Sequence, residues 1–405
     1  MEPWKRTMWI LFGGVLLCSS SYTMSVPFLP LFLLDLGVDQ GSVNMWAGIV
    51  YSSAFLIGAI MAPFWGSLAD RYGKRKMVIR AGLSIAVIYA LFSIVQSPWQ
   101  LVGARLLHGF VGGFVPASMA IVASKTPEQH MGWSLGMMQA GTMSGGILGP
   151  LFGGILAEWF GFRMSFVVAA GIILLASIAV IIWVDEGKTG NTTTNARVGV
   201  LQTWKEASRN KTLLLMLLLL FVFQLSINMI QPFLTLHIAA LQGKLQGAVL
   251  TSGIIFSIIG IAGIVASPFW GRIGQKYSYT IILSICLLIA GSVGSTQYFV
   301  QQLWLFTVVQ FIFGFFMAGV TPSINTMVIN NTDAGFRGRS FGLTTSANQF
   351  GAMAGPLIGG VLGIGLNIHW IFVVTGMTLI GTGTVVYLSS RRAKQKDEQL
   401  GASIH

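Results

Sequence analysis

Charged side chains are scarce in this chain. Asp, Glu, Lys and Arg make up 9% of its 405 residues, whereas they make up about a quarter of an ordinary soluble domain. Hydrophobic residues make up 54%, and the mean hydropathy is +0.75. This composition excludes a soluble globular protein and predicts that lipid surrounds most of the chain.

Cysteine and histidine are also few. The two cysteines, Cys18 and Cys286, lie in long apolar stretches, so a disulfide framework is not expected. The five histidines form no cluster with metal-ligand spacing, and there is no glycine-rich phosphate-binding loop. We therefore expect no metal, no cofactor and no enzyme activity. ATP-driven transport by this chain alone is also unsupported.

Long apolar stretches dominate the sequence. A membrane-spanning helix needs roughly 20 mainly apolar residues, and the chain contains twelve such stretches. We number them spans 1 to 12, in order 8–34, 44–65, 77–96, 99–123, 133–157, 164–184, 213–238, 248–270, 280–299, 303–328, 341–365 and 369–389. The predicted fold class is an all-α membrane protein with twelve transmembrane helices.

The net charge of +12 is distributed unevenly between the two sides of the predicted membrane. With a cytoplasmic amino terminus, nearly all loop Lys and Arg fall on the cytoplasmic side, and only Arg163 and Lys244 fall on the other. This positive-inside pattern predicts a multi-pass protein of the cell membrane with both termini cytoplasmic. We interpret the basic excess as topology and attraction to anionic membrane lipid, not as a nucleic-acid footprint.

The chain carries an internal repeat. A pattern of glycines and one proline recurs with every member shifted by 206 positions: Gly136, Gly145, Gly149, Pro150, Gly153 and Gly154, then Gly342, Gly351, Gly355, Pro356, Gly359 and Gly360. A second landmark, Pro-Phe-Trp-Gly at 63–66 and 268–271, recurs with an offset of 205. Parallel repeats of this kind place a binding site between the halves near the bilayer midplane, which favours solute transport.

The duplication predicts four regions. Residues 1–184 and 213–389 form two pseudo-symmetric six-helix bundles, 185–212 form a cytoplasmic linker, and 390–405 form a basic tail. Within the linker, residues 198–211 form either a short amphipathic helix on the membrane surface or an unstructured loop.

The loop after span 2 combines glycines, one acid and a basic run. Its acid can accept backbone N–H bonds at a neighbouring helix or pair with an arginine, and so latch two helices together; the alternative is an ordinary charged topogenic loop. The loop resembles the signature of the major facilitator superfamily. The resemblance implies a conformational latch made by Gly66, Asp70, Arg71, Gly73 and Arg75.

Two further motifs extend this resemblance. Arg105 lies inside span 4, where an arginine is costly and faces protein or water, and it resembles the superfamily arginine proposed to assist proton transfer. The span 5 pattern resembles the antiporter motif, which implies exchange of an exported substrate for protons. Span 1, with Pro27 and Pro30 and its end at Asp35, resembles the twelve-span drug-exporter subgroup.

Acids suited to proton coupling are few. Most lie in cytoplasmic segments, and Asp35 and Glu158, at the outer ends of spans 1 and 5, are the candidates, although each is equally interpretable as a solvated loop charge. Spans 7 to 12 contain no Asp or Glu, which disfavours dicationic substrates. The predicted cavity amides are Gln139, Gln224, Asn228, Gln231, Gln310, Asn325, Asn348 and Gln349; helix-to-helix bonding is the alternative for each.

These features together predict a monomeric secondary transporter that exports small lipophilic compounds, including drugs, in exchange for protons by alternating access. The alternative is a facilitator or exporter of a sugar or other metabolite. It ranks second because sugar sites gather many polar groups, which are sparse here. A non-transporting membrane sensor is the third interpretation.

Overall fold

The computed structural model describes residues 2–185, 200–332, 337–365 and 368–402. The described residues form helices and connecting turns, with no strand among them. In chain order the first helices are α1 (Pro3–Met24), α2 (Leu29–Asp35), α3 (Val43–Tyr72), α4 (Lys74–Ile94), α5 (Pro98–Val111), α6 (Phe114–Lys125), α7 (Glu128–Trp183) and α8 (Val200–Arg209). They are followed by α9 (Lys211–Ile230), α10 (Leu234–Gln242), α11 (Ala248–Tyr277), α12 (Tyr279–Thr296), α13 (Leu303–Met317), α14 (Val320–Asn330), α15 (Arg337–Gly365) and α16 (His369–Ala402).

Ten segments of the described residues are long and apolar enough to cross a membrane. One of them, α7, has 56 residues, and Gly161 interrupts it with non-helical backbone angles (φ 78°, ψ 167°). A straight helix of that length would measure about 84 Å, far more than a bilayer core, so α7 contains two spans. Because α15 also lies at the position of predicted span 11, each of the twelve predicted spans has a helical counterpart.

The chain divides into two compact units. One comprises Met1–Ala196 with Gln231–Ser257, and the other comprises Arg197–Ile230 with Ile258–His405. The predicted division at 184, 212 and 389 remains a prediction, and residues 186–199 of the linker lie outside the described residues. Helix α8 occupies the segment for which the sequence predicts an amphipathic helix or a loop.

In the first unit, α1 packs directly on the first half of α7. Glycines allow this approach, because a Cβ atom on Gly145 would lie 2.5 Å from the Leu16 carbonyl oxygen and 2.9 Å from the Ser20 nitrogen. Thr23 Oγ1 adds a hydrogen bond of 3.2 Å to the Gly145 carbonyl. Small residues permit such backbone contact between membrane helices.

The second unit repeats this packing between α9 and α15. A Cβ atom on Gly355 would lie 2.5 Å from the Leu225 carbonyl oxygen, and one on Gly351 would meet the backbone of Phe221. The core of this unit is a cluster of aliphatic and aromatic side chains to which α9 and α12 contribute most, including Leu220, Leu283 and Leu287. The sequence repeat is therefore also a repeat of helix contacts.

Candidate functional site

Span 1 is broken between α1 and α2, where residues 25–28 form turns. Pro30 has no N–H to donate to the Val26 carbonyl four residues earlier, and the Tyr51 hydroxyl donates to that carbonyl instead, at 2.8 Å. The Ser21 carbonyl also precedes the break, and the Tyr89 hydroxyl donates to it at 2.6 Å. Side chains of spans 2 and 3 thus replace the hydrogen bonds that span 1 lacks.

Arg105 of α5 contacts the same break. Its side chain is only 4% exposed, and Nη2 donates to Ser25 Oγ at 2.8 Å. The guanidinium carbon lies 5.2 Å from the centre of the Phe92 ring and 5.8 Å from that of Tyr51, within the range of cation–π attraction. Among the described residues no carboxylate lies within ion-pair distance, and Nε makes no hydrogen bond. A hydroxyl and two ring faces therefore stabilise this buried cation.

His108 lies one helical turn after Arg105 and is also 4% exposed. Its ring centre is 5.2 Å from that of Tyr22, 5.4 Å from that of Tyr89 and 6.1 Å from that of Phe92. Its Nδ1 makes no hydrogen bond with any described residue. The spacing of His108 from Arg105 places both on one helix face in the sequence, but it does not indicate the aromatic residues around them.

The two candidate acids lie apart from Arg105. Asp35 ends α2 and Glu158 lies near the end of the first half of α7, and both are exposed. Arg163, the arginine nearest to Glu158 in sequence, donates instead to the Ser93 carbonyl at 2.9 Å. The structure therefore brings Arg105 to the break in span 1 but does not join either acid to it.

Span 4 is broken as well, between α5 and α6, where Gly113 has φ 117°. Beyond this break, the Phe110 carbonyl loses its helical partner, the N–H of residue 114. The indole N–H of Trp65, from α3, donates to this carbonyl with an N–O distance of 2.5 Å. We call this contact the tryptophan clamp of the first half.

Arg80 of α4 binds backbone carbonyls at the same break. Pro116 cannot donate to the Gly112 carbonyl four residues earlier, and Arg80 Nη2 donates to it at 3.0 Å and to the Val111 carbonyl at 3.4 Å. Its guanidinium lies 3.4 Å from the centre of the Trp65 ring. The indole therefore positions the arginine while its N–H donates to the Phe110 carbonyl. In the sequence, Arg80 is recognisable only as the last member of the basic run that follows span 2.

The tryptophan clamp recurs in the second half. The indole N–H of Trp270 donates to the Phe315 carbonyl at 2.8 Å, and both residues are shifted by 205 positions from Trp65 and Phe110. The position equivalent to Arg80 is Ile285, so no arginine stands at that place in the second half. The duplicated Phe-Trp-Gly sequence is the signal from which these clamps are recognisable.

We expect Trp65→Phe to impair the protein more than Trp270→Phe. Phenylalanine keeps an aromatic ring but removes the indole N–H, which costs about 0.5–1.5 kcal/mol for a typical hydrogen bond. At Trp65 it also weakens the contact with Arg80. Thermal unfolding of the purified variants measures the effect, and equal unfolding temperatures for Trp65→Phe and the unaltered protein would contradict this role.

The predicted latch is described in part. Gly73 forms the turn between α3 and α4 with φ 100°, as the sequence predicts, and Arg75 Nη2 donates to the Ile181 carbonyl at 2.6 Å. Arg71 is exposed and lies over the Tyr72 ring. Gly66 and Asp70 are described only as helical backbone. The latch thus remains a prediction.

The glycines of the antiporter-like helix serve different contacts. Gly145, Gly149 and Gly153 face the backbone of α1, whereas a Cβ atom on Gly154 would lie 3.1 Å from the Leu250 Cα of α11. Gly136 faces open space. The backbone contact continues along α11, where Ser257 Oγ donates to the Ile147 carbonyl at 2.7 Å and Gly253 meets the carbonyl of Pro150. The start of span 8 therefore packs on span 5 within the first unit.

The predicted cavity amides divide into bonded and half-buried residues. Gln310 is 2% exposed and its Nε2 donates to Gln297 Oε1 at 3.3 Å, and Asn228 Nδ2 donates to the Gln224 carbonyl at 2.8 Å. Gln139 is exposed, and the side chains that remain are half-buried: Gln224, Gln231, Asn325, Asn348 and Gln349. The Gln310 bond joins two helical elements, whereas the Asn228 bond lies within α9. A shared cavity of these amides stays a prediction.

No group of three or more His, Cys, Asp or Glu side chains in the described part of the chain is arranged to hold a metal ion. The chemistry available at the two breaks is therefore that of a buried guanidinium, hydroxyls, aromatic faces and freed carbonyls.

Comparison with known proteins places this geometry in context. The family model described as Major Facilitator Superfamily matches residues 11–264 and 218–403. The protein named multidrug resistance protein MdtG of Proteus mirabilis is 32% identical, with 98% of each chain covered. Its namesake in Serratia proteamaculans is 31% identical, over 93% of this chain and 92% of the relative.

Solved structures share the fold. A bacterial homologue of the human lysosomal transporter Spinster, in an inward-facing and occupied conformation, matches with a TM-score of 0.81 at 14% identity, covering 96% of this chain and 98% of that one. A mutant of the nucleoside transporter NupG matches with a TM-score of 0.79 at 13% identity, covering 96% and 99%.

Proposed function

Because this chain belongs to the major facilitator superfamily, we propose that it is a secondary transporter that exports small lipophilic compounds, including drugs, in exchange for protons. The family predicted from the sequence motifs is confirmed, and the chain is a multi-pass membrane protein. Relatives named as multidrug resistance proteins, similar over nearly the full length, support drug efflux. The proposal includes a cell-membrane location, cytoplasmic termini and a monomeric state.

One observation carries the mechanistic part of this proposal. Arg105 is buried, its Nη2 atom binds Ser25 at the break in span 1, and it has no carboxylate partner among the described residues. A buried cation held by a hydroxyl and ring faces favours anionic or polarised groups near it. We propose that Arg105 couples the state of span 1 to proton movement during alternating access.

The proposed substrate class follows from which side chains the predicted spans contain and which they lack. Spans 7 to 12 carry no acid, so a permanent dication would find no counter-charge there, whereas aromatic side chains and methionine are abundant throughout the chain. Such surfaces adapt to varied apolar ligands. Neutral, zwitterionic and lipophilic compounds are the proposed substrates, with the half-buried amides of the predicted set supplying polar contacts.

Proton coupling is tested in liposomes that contain a pH-sensitive dye. We expect lipophilic dyes or antibiotics to move against their gradients when a proton gradient is imposed, with matching proton flux. We expect Asp35→Asn or Glu158→Gln to abolish the proton flux, because an amide cannot exchange a proton. Asp39→Asn is the matched control, since Asp39 is an exposed acid that only accepts hydrogen bonds from Ser42 at 2.7 and 2.9 Å.

The outcomes separate the candidate functions. Transport that is indifferent to the proton gradient would reject antiport and favour the facilitator of a sugar or other metabolite. Proton-coupled transport that survives both Asp35→Asn and Glu158→Gln would reject these two acids as carriers while leaving export intact.

A further inference from the structure

A cleft lies where the ends of spans 1, 4 and 6 meet, on the predicted cytoplasmic side. It has a volume of about 510 Å³, and its lining includes Trp4, Arg6, Lys125, Trp183 and Asp185. This volume falls within the range of small-ligand sites, roughly 300–1,000 Å³. The proposed transport function does not use this cleft.

The cleft contains two cations that lack acidic partners. Lys5 is paired with Glu2 at 2.9 Å, but the neighbouring Arg6 makes no ion pair or hydrogen bond through its side chain with any described residue. Lys125 Nζ donates to the backbone carbonyl of Asp185, and no described carboxylate lies within ion-pair distance of this ammonium. A guanidinium and an ammonium facing one space form a phosphate-binding arrangement.

Two indole rings form further walls of the cleft. Trp183 is 49% exposed, and Trp4 stacks on His130 with ring centres 5.1 Å apart. Tryptophan is enriched at the headgroup level of membranes, where one end of the ring is apolar and the other is wet. The Asp185 carboxylate, also in the lining, is an acceptor for a hydroxyl.

We infer that this cleft binds the headgroup of an anionic glycerophospholipid of the inner leaflet. The phosphodiester lies between Arg6 and Lys125, a glycerol hydroxyl donates to the Asp185 carboxylate, and the acyl chains leave past the indole rings. The same cations would also bind a soluble phosphate, and the indole rings at the membrane surface favour the lipid.

The test measures thermal unfolding of the full-length protein in lipid nanodiscs. Discs of phosphatidylglycerol are expected to raise the unfolding temperature by about 3 °C over discs of phosphatidylcholine. Arg6→Gln and Lys125→Gln should each lose most of that rise while unfolding like the unaltered protein in phosphatidylcholine. Lys276→Gln, which removes an exposed cytoplasmic-side charge outside the cleft, should keep it.

Three results would overturn the inference. A full rise in both Arg6→Gln and Lys125→Gln would exclude the cleft, and a comparable loss in Lys276→Gln would indicate a general charge effect. An equal rise produced by millimolar inorganic phosphate in phosphatidylcholine discs would assign the cleft to a soluble anion instead of a lipid. None of these results depends on transport activity, so the inference and the proposed export function fail separately.

Discussion

Replacing Arg105 by lysine is expected to lower the transport rate at least tenfold, which corresponds to about 1.4 kcal/mol. Lysine keeps the positive charge but loses the planar donor group that reaches Ser25 Oγ and packs on two aromatic rings. A hydrogen bond from a charged donor contributes about 1.5–3 kcal/mol, so losing the bond to Ser25 is enough to account for a tenfold lower rate. Dye efflux from proteoliposomes, normalised to the amount of folded protein, measures it.

The control for Arg105→Lys is Arg163→Lys, which makes the same change at an exposed arginine. Ser25→Ala removes the acceptor, and its effect should overlap with that of Arg105→Lys in the double variant, because both remove one contact. Equal loss in Arg163→Lys, or additive losses in the Ser25 and Arg105 double variant, would contradict a specific role for this contact.

Replacing Gly145 by alanine is expected to lower the unfolding temperature by about 5 °C and to slow transport strongly. The Cβ atom of alanine would lie 2.5 Å from the Leu16 carbonyl oxygen. Because the α7 backbone fixes the Cβ position and the carbonyl belongs to the α1 backbone, the two helices must separate. Overpacking of this kind costs about 1–3 kcal/mol. Differential scanning fluorimetry and efflux assays on the same preparation measure both effects.

The adjacent residue supplies the control for Gly145→Ala. A Cβ atom on Gly146 meets nothing within 4 Å, so Gly146→Ala should unfold within about 1 °C of the unaltered protein. Gly351→Ala should behave like Gly145→Ala, because Gly351 meets the backbone of α9 in the equivalent place. Similar stability of Gly145→Ala and Gly146→Ala would show that close helix contact is not what the glycine provides.

The architecture was predictable because it depends on local patterns. Apolar length identified the spans, and the 206-residue shift identified the duplication. The boundary between spans 5 and 6 is also local, since Gly161 lies between Glu158 and Arg163, which interrupt the apolar stretch. Each of these properties is recognisable from short sequence segments.

The contacts of the candidate site were less predictable because they join distant segments. Tyr89 meets the Ser21 carbonyl across 68 positions, and Arg80 meets Gly112 across 32. A proline indicates which carbonyl loses its donor, but it does not indicate which side chain replaces the donor. The exposure of Asp35 and Glu158 likewise depends on neighbouring helices and not on their place at the ends of spans.

The glycine pattern shows the same limit. As a sequence it is one motif, but the structure assigns Gly145 to contact with α1, Gly154 to contact with α11 and Gly136 to no close contact. Spacing by three or four residues indicates a helix face suited to close packing. It does not distinguish which partner covers each part of that face.

The hydrogen bonds at the breaks in spans 1 and 4 also constrain how the first bundle can be assembled in a membrane. The Ser21 and Val26 carbonyls need tyrosines of spans 3 and 2, and the donors of Arg80 find the Gly112 carbonyl only once span 4 is present. An unsatisfied group of this kind costs several kcal/mol in lipid. Spans 1 to 4 therefore reach a low-energy state only as a set of four, and a nascent chain that stops after span 2 or span 3 retains unpaired polar groups in the bilayer.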